Sequence, residues 1–137
     1  GVAQQVAKRH KRLEDLRFDM QGLEIEFNAF TLKKITEELI DNAFKFSEPG
    51  KTVQVATHGT AQELVLEINN YGRGLTEEQC DRIAAYQQFD RNYYEQQGLG
   101  LGLVIARTLT EFNNGNFEIH SVIDGQTTVS ISLPLHA

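Results

Sequence analysis

Glu38-Leu39-Ile40-Asp41-Asn42-Ala43-Phe44-Lys45-Phe46 ends a helical stretch that is predicted to open at Thr31, as N-cap, and to close at Ser47-Glu48-Pro49-Gly50. Its polar residues fall in an unusual place. With Glu38 at zero and about 100° per residue, Asn42 falls near +40° and Lys45 near −20°, while Ile35, Leu39 and Phe46 fall at about +60° to +100°. The polar group therefore borders the apolar face instead of opposing it. Either it lines a cleft beside the core, or it forms a partly exposed helix edge. Chemically the trio suits a magnesium nucleotide. Mg²⁺ takes a few hard oxygen ligands and leaves its other positions to phosphate and water, so one Asn carbonyl serves it without a carboxylate cage. Lys45 can answer phosphate charge, and Glu38 can accept a proton from an attacking nucleophile.

Two glycine clusters lie downstream. Asn70-Tyr71-Gly72-Arg73-Gly74 follows a predicted strand, where glycines allow a tight turn and close approach of a ligand. Gly98-Leu99-Gly100-Leu101-Gly102-Leu103 opens a helix whose free N–H groups and dipole favour an anion. Each alone is more often a turn than a phosphate cradle, and the second lacks the strand-turn-helix setting of a dinucleotide fingerprint.

The rest of the chain frames these segments. Residues 2 to about 16 carry Val2, Val6, Leu13 and Leu16 at roughly helical spacing, read as the tail of a longer helix. Residues 18–21, 23–27, 53–57 and 63–68 read as strands, and residues 116–122 and 127–133 as a hairpin around Asp124-Gly125. Thr76 is predicted to cap a short helix to about Ala85, and residues 100–112 to form another. Tyr86 to Gln97, with four Gln and three Tyr and no clear period, reads as a long mobile loop. The tally is α+β, with helices on one face of a mixed sheet.

Composition narrows the functions. At 137 residues, 40% hydrophobic and 23% charged, the chain is an ordinary folded domain. Thirteen Lys and Arg against 19 Asp and Glu supply no readily basic face, so nucleic acid is not an expected partner. The single Cys80 forms no intrachain disulfide and fits a reducing compartment, with the cytoplasm as the default. No apolar run is long enough to span a bilayer, and a membrane anchor elsewhere in a parent protein stays open. The scattered His10, His58, His120 and His136 have no metal-ligand spacing. The run Lys8-Arg9-His10-Lys11-Arg12 reads as solvated helix faces rather than a patch for an anionic partner.

Taken in order, these segments resemble the GHKL, or Bergerat-fold, ATPases, and within them the catalytic domain of histidine kinases. Glu38 to Phe46 is similar to the N box, Asn70 to Gly74 to the first glycine box, Phe89-Asp90-Arg91 to the F box, and Gly98 to Leu103 to the G-x-G-x-G box. The resemblance covers roughly residues 18 to 135. It implies a Bergerat-type α/β sandwich, a mixed, mostly antiparallel sheet covered on one face by helices, binding ATP and Mg²⁺. It further implies Glu38 as the catalytic carboxylate, Asn42 as the Mg²⁺ ligand and Lys45 at phosphate. Asn70, Gly72, Gly74, Arg91, Gly98, Leu99, Gly100, Leu101 and Gly102 would complete the nucleotide site, with residues 86–97 as a lid.

Two departures stand out. The first glycine box of the family begins with Asp, which accepts a hydrogen bond from the adenine amino group, and here the position is Asn70, still a carbonyl acceptor. His10 is followed by Lys11-Arg12-Leu13 and not by the acidic residue and Pro of the family's histidine box. The acceptor histidine is therefore expected on a separate dimerisation and phosphotransfer domain, with residues 1–16 as a helical remnant leading to it, residues 17–137 as the catalytic domain and a response regulator downstream. An ATP hydrolase of the same fold, a serine kinase of anti-sigma type and a non-catalytic nucleotide-binding module are the alternatives.

Overall fold

The computed structural model of the protein describes residues 2–20, 29–84 and 91–134. Along the chain run α1 (Val2–Arg9), β1 (Leu16–Met20), α2 (Ala29–Phe46), β2 (Val53–Gly59), β3 (Glu63–Tyr71), α3 (Glu77–Ala84), α4 (Arg91–Gln96), α5 (Gly102–Phe112), β4 (Asn116–Ser121) and β5 (Gln126–Pro134). The strands form one sheet in the order β1-β2-β3-β5-β4. Among the described residues only the β1–β2 pair is parallel, and the other three pairs are antiparallel.

Alternation decides which face is covered. Along β3, Leu64, Leu66 and Ile68 are buried, and along β5 Thr127, Val129, Ile131 and Leu133 are. Leu66, Ile68, Val129, Ile131 and Leu133 among them meet Ile35, Leu39 and Ala106 from α2 and α5 in one hydrophobic cluster. Each such Leu or Ile contributes about 1.5–3 kcal/mol by leaving water. The opposite face shows Gln54, His58, Glu118 and His120 to solvent. The expected one-sided α+β sandwich is the fold. Thr76 caps α3 as expected, in a reciprocal box: its Oγ1 accepts from the Gln79 amide at 3.1 Å, while Gln79 Oε1 accepts from the Thr76 amide at 2.9 Å.

Four expectations need correction or fall outside the description. The first helix stops at Arg9 because Lys11 takes a left-handed φ of 57° and closes a Schellman motif, with Arg12 N bonding Ala7 O and Lys11 N bonding Lys8 O. The second helix begins at Ala29, so Thr31 lies inside its first turn and is not its N-cap; Ala is the best helix former and gives the helix no reason to wait. Residues 91–96 are helical, not loop. The strand predicted over 23–27 and the first part of the expected lid, 86–90, lie outside the described residues.

Packing draws no boundary at residue 16. Ala3, Val6 and Ala7 of α1 sit in the same cluster as α2, and Leu16 already belongs to β1. The Schellman turn also points Arg12 inward, so this residue is not part of a solvated basic face. Arg12, 7% exposed, donates to Asp15 Oδ2 at 2.7 Å, to Ser47 Oγ at 2.7 Å and to the carbonyls of Phe44, Ser47, Glu48 and Lys51. It thereby satisfies the orphan carbonyls at the end of α2 and in the loop beyond. Asp15 in turn accepts from the Gly50 amide at 3.0 Å.

The hydrogen bond from Arg12 holds the Asp15 carboxyl below its ordinary range, against the opposing pull of burial. A carboxylate depressed in the folded state adds stability above its unfolded pKa of about 4, and that stability is lost as pH falls through the lower folded value. Urea unfolding of Asp15→Asn at pH 7 should therefore show a less stable protein, with a shallower loss toward pH 3 than the wild type. Parallel acid limbs would show that the pair adds nothing.

Candidate functional site

Between α2 and the β3–β5 strands lies a narrow recess, about 10 Å³ as it stands, with apolar walls from Leu39, Ala43, Phe46, Ile68, Leu103 and Val129. Three polar side chains, Asn42, Asn70 and Thr127, also line it. Asn42 is 5% exposed, and the Glu38 side chain only 17%. Of the polar stripe of α2, Asn42 lines this recess, Glu38 is partly buried one turn away, and Lys45 stays on an exposed edge of the helix. The glycine turn before α5 lies against all three.

That turn meets the helix residue by residue. A Cβ on Gly100 would stand 3.0 Å from Lys45 Nζ, and one on Gly102 would stand 2.6 Å from Asn42 Nδ2 and 2.8 Å from Glu38 Oε2. Gly98 and Gly100 take left-handed φ of 69° and 66°, which folds the turn tightly enough to do this. Leu99, 2% exposed, anchors the turn in the core, while Leu101 occupies the N-cap of α5 with no side-chain cap. The first turn of α5 therefore stands uncapped beside Asn42 and Glu38, an arrangement suited to an anion.

The first glycine box plays a different part. Gly72 and Gly74 would place a Cβ 2.0 Å from Phe46 O and 2.4 Å from Val122 O, so both glycines serve backbone contacts within the fold. Gly72 also forms an antiparallel bridge with Ser47 at the end of α2. Asn70, in contrast, is 4% exposed and its Nδ2 finds no partner among the described residues.

Two cations escaped the sequence reading. Lys34 Nζ lies 2.8 Å from Glu38 Oε1, one turn away on α2, and that hydrogen bond holds the ammonium above the usual lysine range. The i, i+4 spacing was the available signal. Arg73 stacks its guanidinium 4.4 Å from the Phe46 ring centre and donates to Gly98 O at 3.0 Å, tying one glycine box to the other. Nothing in its local spacing announces this.

Of the expected F box, Phe89 and Asp90 lie outside the described residues, and Arg91 is described only as the first residue of α4. The end of the expected lid is fastened down: Tyr94, 6% exposed, donates to Arg82 O at 3.2 Å, and Arg82 lies 4.0 Å over the Tyr93 ring. His10 bonds Asp41 at 2.8 Å and stacks on Phe44 at 5.6 Å, away from the cleft wall. Burial pushes the Cys80 thiol up, which disfavours the nucleophilic thiolate. Among the described residues no helix is long and apolar enough to cross a membrane.

Residues 28–137 match the family described as histidine kinase-, DNA gyrase B-, and HSP90-like ATPase. The histidine protein kinase DivJ of Caulobacter vibrioides is 32% identical over 114 residues, which are 82% of this chain and 19% of that protein. The signal transduction histidine-protein kinase ArlS of Staphylococcus aureus is 33% identical over 128 residues, 85% of this chain and 27% of that one. The chain thus spans about a fifth to a quarter of these relatives' length. The catalytic domain of histidine kinase ThkA has the same fold, with a TM-score of 0.74 at 18% identity over 98% of this chain and 90% of the other.

Proposed function

The chain belongs to the histidine kinase-, DNA gyrase B-, and HSP90-like ATPase family, and from that premise we propose that it is the ATP-binding catalytic domain of a sensor histidine kinase. In this reading it transfers the γ-phosphoryl group of ATP to a histidine on a separate dimerisation and phosphotransfer domain. A response regulator receives the group afterwards, and the domain works on the cytoplasmic side. The observation that carries the reading is Gly102 lying against both Asn42 and Glu38. That contact puts the uncapped N-terminus of a helix, a side-chain amide and a carboxylate around one point.

Each residue has a distinct task. The apolar slot, opened to admit it, receives the base, and the α5 amides with Lys45 receive phosphate oxygens. Asn42 is the expected Mg²⁺ ligand, and its single amide oxygen suits an ion that draws most of its shell from phosphate and water. Bound Mg²⁺ would neutralise phosphate charge. Glu38 takes the proton of the attacking imidazole through the carboxylate oxygen that faces the turn, while Lys34 holds the other.

Calorimetric titration tests the reading. ATP should bind at least about tenfold more tightly with Mg²⁺ than with EDTA. Equal affinity in both would remove Asn42 from the metal's shell, and no binding in either would reject the nucleotide site. Steady turnover of ATP with no acceptor present would favour a hydrolase.

A further inference from the structure

We infer that this site accepts both 6-aminopurine and 6-oxopurine nucleoside triphosphates, with Asn70 turning its amide to suit each; the inference rests on reading the recess as the base pocket. Asn70 sits in β3, and its Nδ2 is buried without a hydrogen-bond partner among the described residues. A buried donor left unmatched is destabilising, and a ligand offering an acceptor there restores the missing bond. Of the other polar side chains lining the recess, the Thr127 hydroxyl is already committed. Thr127, opposite Asn70 across the strand pair, shares a 2.6 Å hydrogen bond with Ser121. Ser121 in turn accepts from the Leu75 amide at 2.8 Å.

The neighbouring Asn69 shows what a fixed amide looks like. Its Nδ2 donates to Glu67 at 3.2 Å and its Oδ1 accepts from Thr128 at 2.5 Å, so a turn about the last bond would break both. At the Asn70 amino group no such bond opposes rotation. The amide is nearly isosteric with itself turned by a half-rotation, which exchanges donor and acceptor. One setting offers Oδ1 to a 6-amino group and Nδ2 to N1 of adenine. The other offers Nδ2 to a 6-oxo group and Oδ1 to the N1–H of hypoxanthine or guanine. A carboxylate would lack the second setting, because neither oxygen can donate to a 6-oxo group.

Titration of the whole chain with the magnesium salts of ATP, ITP and GTP tests this. ITP separates the 6-position from any exclusion of the 2-amino group of guanine. ATP and ITP should bind within about tenfold of one another, and Asn70→Asp should widen that ratio at least tenfold in favour of ATP. Tight ATP with ITP weaker by a hundredfold or more in the wild type would overturn the inference and leave the nucleotide site standing. An unchanged ratio in a folded Asn70→Asp protein would also overturn it, by moving the base contact elsewhere. If none of the three bound, the inference and the reading of the recess would fall together.

Discussion

Glu38→Gln is expected to keep nucleotide affinity within about twofold while cutting phosphoryl transfer to a supplied acceptor domain by about 10²–10⁴, the usual worth of a positioned general base. The amide preserves shape. It also keeps a carbonyl for Lys34, whose Nζ lies 2.8 Å from Oε1 in the wild type. What it loses is the basic oxygen toward Gly102, the only change the substitution makes at the point where the cleft wall meets the glycine turn. The comparison is a binding constant from calorimetry against a single-turnover transfer rate. Unchanged transfer would leave Glu38 a merely structural role. Loss of binding and transfer together would instead make the carboxylate part of the nucleotide's seat.

The legible part of this molecule was the part governed by local period and spacing. Glu38, Asn42 and Lys45 could be placed on one edge of α2 because a helix repeats every 3.6 residues, and the structure puts Asn42 of that edge in the wall of the recess. β3 and β5 were visible through their alternation. Arg12 was not visible, because the residues that fix it, Phe44, Ser47, Glu48 and Lys51, lie more than 30 residues away, and four of its six acceptors are backbone carbonyls that every sequence possesses. α4 escaped because six residues are too short to show a helical period, and its docking depends on Tyr94 meeting the Arg82 carbonyl. Arg73 escaped for a similar reason, since its partners Phe46 and Gly98 adjoin it only after folding.

The glycines show the same divide, and they carry the largest expected effect on stability. In sequence, Gly72 and Gly102 look alike, each a member of a glycine cluster beside a predicted strand or helix. In the structure, a Cβ on Gly72 would stand 2.0 Å from the backbone oxygen of Phe46 and 3.0 Å from Ser47 Cα. The end of α2 cannot recoil, because Arg12 already grips the Phe44 and Ser47 carbonyls at 3.1 Å from the other side. Gly72→Ala should therefore exceed the usual cost of overpacking, reaching more than about 3 kcal/mol and lowering Tm by on the order of 10 °C. Gly102→Ala should do the reverse. It adds a good helix former at the first residue of α5, so Tm should hold or rise slightly. Yet its methyl group would press on the Asn42 amide and the Glu38 carboxylate, at 2.6 and 2.8 Å, and both are side chains that can swing aside. Swinging aside spoils the site, so magnesium-dependent ATP binding should weaken by more than about tenfold. Thermal melts and titrations on the two variants read the contrast directly. A Gly72→Ala protein as stable as the wild type would show that α2 and β3 can part at Phe46, and the close backbone approach that sets one end of the cleft would then not be required by the fold.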